Sequence, residues 1–156
     1  MPCGTFALGD HGTNPLVFVS AGVGVTPVMS ILDNLGEKYK RGENINRKII
    51  CIQINKSPER HPLKDHIDNL VGRGITDSHV FYTKDSGKTA TLANSKIHHG
   101  RMTLAAIKSI TEGVVDTAEF YSCGPDQFMD DFSSMLDELD VPTSRRHYDY
   151  FGPARV

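Results

Sequence analysis

Two glycine-bearing turns and one aromatic cluster hold the groups in this sequence that can do chemistry. The first turn is Ser20-Ala21-Gly22-Val23-Gly24-Val25-Thr26-Pro27. Gly22 and Gly24 carry no Cβ, so the backbone can turn sharply and a ligand can approach its N–H groups closely. Pro27 suits the first turn of a helix, where its missing N–H costs nothing. A helix starting there presents uncompensated donors and partial positive charge, and Thr26 adds a hydroxyl; together these favour an anion such as a pyrophosphate. The spacing departs from the G-x-G-x-x-G dinucleotide fingerprint, because Pro27 stands where the third glycine belongs. A glycine turn of any α/β protein fits the spacing equally well.

The second turn is Tyr121-Ser122-Cys123-Gly124-Pro125, at the carboxyl end of an expected strand and just before a helix. Ligands of doubly wound sheets bind outside the carboxyl ends of strands where the winding reverses. Cys123 reads either as a wall of such a crevice or as a small buried apolar residue, the commonest fate of an unoxidised cysteine. The aromatic cluster is His147-Tyr148-Asp149-Tyr150-Phe151-Gly152-Pro153. An exposed ring there would offer a flat face for stacking on a ring system, whereas a strand would bury it.

The elements that must position these groups follow from the pattern of apolar residues. Leu16 to Val19 is a short run of β-formers that reads as a strand covered on both faces. It stops at Ser20, and Val28, Ile31, Leu32, Leu35 and Tyr39 then repeat at helical spacing. Lys48 to Asn55 predicts a second strand, Leu63 to Val71 a short helix ending at Gly72, and His79 to Tyr82 a third strand. Residues 83–101 are polar and read as one long connection. Thr103 to Ile110 predicts a helix, Ala118 to Ser122 a fourth strand, and Arg145 to Tyr148 a last strand. Between the last two, Gln127 to Leu139 predicts a helix with Phe128, Phe132, Met135, Leu136 and Leu139 on one face. Strands alternating with helices imply an α/β fold, a doubly wound, Rossmann-like parallel sheet of about five strands flanked by helices. Residues 16–156 form the expected domain and residues 1–15, rich in Gly and Pro, a connecting segment. Should the first and fourth strands be neighbours, the two turns line one crevice.

Composition removes several classes of function. With 156 residues, 38% apolar and 23% charged, the chain is of ordinary make-up for one globular unit. A net charge of −2 with scattered basic residues gives no nucleic-acid surface. No apolar stretch is long enough for a membrane span and no signal peptide opens the chain, so the expected location is cytoplasmic. Cys3, Cys51 and Cys123 form no C-x-x-C pair, which leaves reduced thiols as the simplest reading and no metal site. Gly87-Lys88-Thr89 lacks the first glycine of a P-loop, which would fall at Tyr82. His98 and His99 are adjacent and on an extended chain would point to opposite sides, so they read as a solvated loop rather than a metal site.

The motifs SAGVGVTP (20–27), YSCGP (121–125) with Phe128-Met129 shortly after, and HYDYFGP (147–153) together resemble the NAD-binding module of the ferredoxin–NADP reductase superfamily, and most closely the C-terminal end of flavohaemoglobins, the nitric oxide dioxygenases. Pro2 to Phe6 is similar to the segment joining that family's flavin barrel to its nicotinamide domain. The resemblance implies that Gly22 to Pro27 receive the pyrophosphate of NAD(P)H with Ser20 and Ala21 as further cofactor-binding residues, that Cys123, Gly124 and Pro125 flank the nicotinamide, and that Phe151 lies against the flavin with Tyr150, Gly152 and Pro153 beside it. It places Asp149 where the family carries a glutamate that influences the flavin potential, so Cys123 and Asp149 are the residues implied at the reacting centre. Electrons would pass from NADH to FAD and then to haem. FAD would be held mainly by a barrel, with its Arg-x-Tyr-Ser/Thr signature, that this chain lacks. Arg146-His147-Tyr148-Asp149 only imitates that signature. The barrel, and a globin domain, would be partners in cis upstream or in trans, and the isolated chain would be inactive without them. The resemblance points to NADH, whereas Lys56 and Arg60, near an expected adenine ribose beside Asn55 and Ser57, leave NADPH open. Two other readings remain: a stand-alone NAD(P)-binding or interaction module without catalysis, and the reductase component of an oxygenase, for which the sequence shows no iron–sulfur cysteine pattern.

Overall fold

The computed structural model describes residues 14–22, 32–34, 37, 48–56, 64–74, 76–84 and 94–150. The elements are β1 (Leu16–Ala21), β2 (Ile49–Asn55), α1 (Lys64–Gly72), β3 (Asp77–Tyr82), β4 (Lys96–His99), α2 (Leu104–Ile110), β5 (Glu119–Gly124), α3 (Asp126–Glu138), a 3-10 turn over Thr143–Arg145, and β6 (Arg146–Tyr150). Of the helix expected after Pro27, residues 32–34 are helical and Leu32 is fully buried.

All six strands are parallel, in the order β4-β3-β2-β1-β5-β6. The chain therefore winds outward from β1 to β4, returns across the sheet to β5, and winds the other way to β6. The reversal lies between β1 and β5, whose register pairs Phe18 with Tyr121, Val19 with Ser122 and Ser20 with Cys123.

The sheet has one strand more than the five expected. The additional strand, β4, lies inside the stretch read as one long connection, and its sequence Lys-Ile-His-His shows why. An edge strand with one apolar residue carries no periodic signal, and it is held by its neighbours instead. It pairs with β3 from His79↔Lys96 to Tyr82↔His99, and the side chain of Asp68 on α1 accepts from Asn94 N at 3.1 Å and Ser95 Oγ at 2.8 Å just before it. The solvated-loop reading of His98 and His99 is corrected accordingly. His98 stacks on Phe81 with ring centroids 4.5 Å apart, while His99 is exposed on the other face of the strand.

Because side chains alternate along a strand, the register sorts the sheet into two faces. One carries Val17, Val19, Ile50, Ile52, Phe81 and Phe120, packed with Ile107 of α2 and Phe132 and Leu136 of α3 into one core. Phe132 stands 6.4 Å from Phe120 and 6.0 Å from Phe128 between ring centroids. The opposite face carries Leu16, Phe18, Cys51, Val80, Tyr121 and Cys123, together with the buried polar residues Ser20, Gln53, Asn55, Ser78 and Glu119. Right-handed crossovers put α1, with buried Ile67 and Leu70, on that second face.

Arg146 fixes β6 against α3. Its guanidinium donates to the Val141 carbonyl at 2.9 and 2.6 Å and to Asp137 Oδ1 at 2.7 Å. On the second face His147 pairs with the buried Glu119 at 2.9 Å and stacks on Tyr121 at 4.4 Å. These contacts hold the start of β6, which runs parallel to β5 and so ends at the same edge of the sheet.

Candidate functional site

At that end, the strands β1, β2, β3 and β5 stop around a cleft. Its larger part is a cavity of about 690 Å³ on the α3 side, bounded by Ala21, Ile54, Thr83, Met102, Pro125 and Phe128, with Arg101 and Asp131 among its polar residues. A second cavity of about 350 Å³ adjoins it, sharing Ala21, Ile54, Thr83 and Pro125 and adding Gly22, Asn55 and Lys56. The larger volume lies within the roughly 300–1,000 Å³ of ligand pockets, and its lining is mostly apolar with a few polar groups, as such sites require.

Both glycines at the reversal earn their place physically. Gly22 has a φ of +60°, a left-handed conformation that L side chains rarely adopt, and a Cβ there would meet nothing within 4 Å. The requirement is therefore conformational: β1 must turn away from the sheet while leaving open space above it. Gly124 is different. A Cβ there would stand 2.6 Å from Phe128 Cδ2 and 3.1 Å from Ala21 Cβ, so this position must be bare for β5 to end beside β1 under the Phe128 ring.

The polar groups near the edge are held at a cost. Ser20 Oγ, Asn55 Oδ1 and Ser122 Oγ are buried without hydrogen-bond partners, as is Ser78 Oγ elsewhere in the sheet. The first three fall in the last three residues of β1, β2 and β5. An unsatisfied buried polar group costs about 1–3 kcal/mol, and three of the four such groups among the described residues gather at this edge.

Of the residues the sequence singled out, Ser20, Ala21, Gly22, Cys123, Gly124 and Pro125 come together where β1 and β5 end. Cys123 is fully buried, on the face opposite α3, and its register partner on β6 is Asp149. Cys51 lies deeper, where burial pushes its thiol up to about 12 despite a hydrogen bond from Gln53, so it stays protonated and unreactive. Tyr148 on β6 is 38% exposed. Val23, Gly24, Val25, Thr26, Pro27, Phe151, Gly152 and Pro153 lie outside the described residues, as do Ser57 and Arg60. Sequence reasoning did not find Ile54, Thr83, Arg101 and Met102 as cleft residues. Thr83 follows β3 and Arg101-Met102 follow β4, so a strand-end rule applied to all six strands would have found them.

A family profile described as "Oxidoreductase NAD-binding domain" matches residues 18–134. Among curated proteins, a flavohemoprotein of Halalkalibacterium halodurans is 30% identical over 153 residues, covering 98% of this chain and 36% of that protein. One of Bacillus thuringiensis is 31% identical over 156 residues with the same coverage. The chain thus spans about 36% of the length of these relatives. Among solved structures, the flavohem-like FAD/NAD binding domain of nitric oxide dioxygenase from Vibrio cholerae superposes with a TM-score of 0.72 at 28% identity, covering 95% of this chain and 55% of that one. No described helix is long and apolar enough to cross a membrane.

Proposed function

The chain belongs to the oxidoreductase NAD-binding domain family, and from that premise we propose that it is the pyridine-nucleotide module of a flavin-dependent reductase, most like that of the flavohemoproteins it resembles. When bound, the dinucleotide would supply a hydride for a flavin held by a neighbouring barrel. The single observation that carries the reading is the adjacency of β1 and β5 at the winding reversal, with Ser20 paired to Cys123 and two connected cavities opening beside them.

The residues fit such a ligand. Gly22 turns the chain and leaves its upper side open, which lets backbone donors approach a diphosphate. The adjoining cavity adds Lys56 and Asn55 to the lining for the adenosine end. Cys123-Gly124-Pro125 would border the nicotinamide, with Asp149 beside Cys123 on β6 and Tyr150 leading towards Phe151, Gly152 and Pro153. The work of this chain is positioning: it holds one carbon of the ligand at a fixed place, and needs no general base. FAD, haem, the barrel and the globin domain belong to the proposed whole protein, in cis or in trans.

Calorimetry on the 156-residue chain with NADH and with FAD separately tests this. Binding of NADH with no retention of flavin through gel filtration is the expected result. A stable yellow preparation carrying stoichiometric FAD, or a folded chain that takes up no pyridine nucleotide, would overturn it.

A further inference from the structure

The two cavities of the cleft differ in charge. In the larger, Arg101 stands 4.0 Å from Asp131, so the one cation among the described lining residues faces a carboxylate. In the smaller, Lys56 is the only charged residue among the described lining and no carboxylate accompanies it. A second lysine is brought to the same place by the backbone. The Lys84 N–H donates to the Lys56 carbonyl at 2.9 Å and the Thr83 N–H to the Asn55 carbonyl at 2.9 Å, which ties the residues leaving β2 and β3 together. Both lysine side chains are exposed.

In doubly wound sheets an acid at the end of the second strand receives a free ribose 2′-hydroxyl, whereas a cation there accommodates a 2′-phosphate. β2 ends here in Asn55-Lys56. Resting on the dinucleotide reading given above, the geometry points to Lys56 and Lys84 as the residues that recognise a 2′-phosphate, so that the cofactor this chain selects is the phosphorylated one, NADPH, over NADH. Asn55 and Thr83 supply neutral polar groups, and nothing negative among the described lining residues opposes the added charge. The carboxylate of Asp131 sits in the other cavity, across the shared wall of Ala21, Ile54, Thr83 and Pro125.

The test uses the half-ligands that isolate this position. Dissociation constants of AMP and of adenosine 2′,5′-bisphosphate are measured on the 156-residue chain and on the variant carrying Lys56→Glu and Lys84→Glu. Both lysines are exposed, so the variant's thermal melt serves as the control for folding. The expected result is bisphosphate binding tighter than AMP by about tenfold or more. That preference should shrink with added salt and below about pH 6, where a phosphate monoester takes up its second proton. The double variant should lose the preference, its bisphosphate affinity falling by about tenfold or more beyond any change in its AMP affinity. Equal affinity for the two ligands, or a preference that survives the double variant, overturns this inference and leaves the dinucleotide reading standing. A folded chain that binds neither ligand overturns both.

Discussion

The two faces of the sheet are built on opposite plans. The face under α2 and α3 is filled by Val17, Val19, Ile50, Ile52, Phe81 and Phe120, and among the described residues its one buried unpartnered hydroxyl is that of Ser122. The other face buries Ser20, Gln53, Asn55, Ser78 and Glu119 between its apolar residues. An apolar face gains from area removed from water and from close packing, while a buried polar face gains only where each group is paired. The lesson is a division of labour. The first face holds the strands in register and the second tolerates polar groups, and the two meet at the carboxyl ends of β1 and β5, where Ala21 and Gly124 belong to one face and Ser20 and Cys123 to the other.

The largest way to break this division is Phe132→Ala. The ring is 1% exposed and stands between Phe120 and Phe128, so its removal should cost about 3–5 kcal/mol in urea or thermal unfolding. A loss below about 1 kcal/mol, the size of a surface change, would mean that the α3 face is not the framework.

Gly124→Ala comes next. The added methyl must displace the Phe128 ring or Ala21, an overpacking expected to cost about 1–3 kcal/mol. It should also weaken nucleotide binding, since Phe128 and Pro125 wall the larger cavity. Unchanged stability together with unchanged binding would show that the close approach of β5 to β1 is dispensable.

The apolar face also carries titrating groups at its outer edge. His79 Nδ1 lies 3.0 Å from His98 Nε2, and burial first, then His98, holds the His79 imidazole down at about 4 from its ordinary 6.5. Between those values the unfolded chain binds a proton that the folded chain refuses, so stability falls as the pH drops from 6.5 towards 4 and is unaffected by this group above 6.5. Urea midpoints measured across that window should decline less steeply in His79→Gln; an identical slope would remove His79 as the cause.

The smallest effect sharpens the comparison from the other side. Ser78 is 3% exposed and its hydroxyl has no partner. Ser78→Ala removes a buried group that makes no hydrogen bond, so the unfolding free energy should stay within about 1 kcal/mol of the parent or rise. A loss of more than about 2 kcal/mol would show that the hydroxyl is satisfied in solution.

Much of the framework was legible in the sequence because hydrophobic periodicity reports burial. The apolar runs of β1 and β2 and the spacing of Phe132 and Leu136 on α3 all reflect residues that are buried. The cleft was legible only where a turn needs a bare backbone, as at Gly22 and Gly124. Ile54, Thr83, Arg101 and Met102 come together at strand ends, and Arg101 and Met102 are reached by a strand-end rule only once β4 is known. β4 escaped because an edge strand is specified by its partner rather than by its own side chains, and the start of β3 at Asp77-Ser78 because two polar residues there are held by pairing with Ile50 and Cys51.

The account stands on the cleft between the ends of β1 and β5. Backbone amide NMR shifts recorded while pyridine nucleotide is added locate the bound ligand directly. The largest changes are expected at Ala21, Gly22, Asn55, Lys56, Thr83 and Gly124, with Leu16, Ile49, Asp77 and Glu119 at the opposite ends of the strands left unmoved. Changes centred on those opposite ends, or none at saturating ligand, would contradict it.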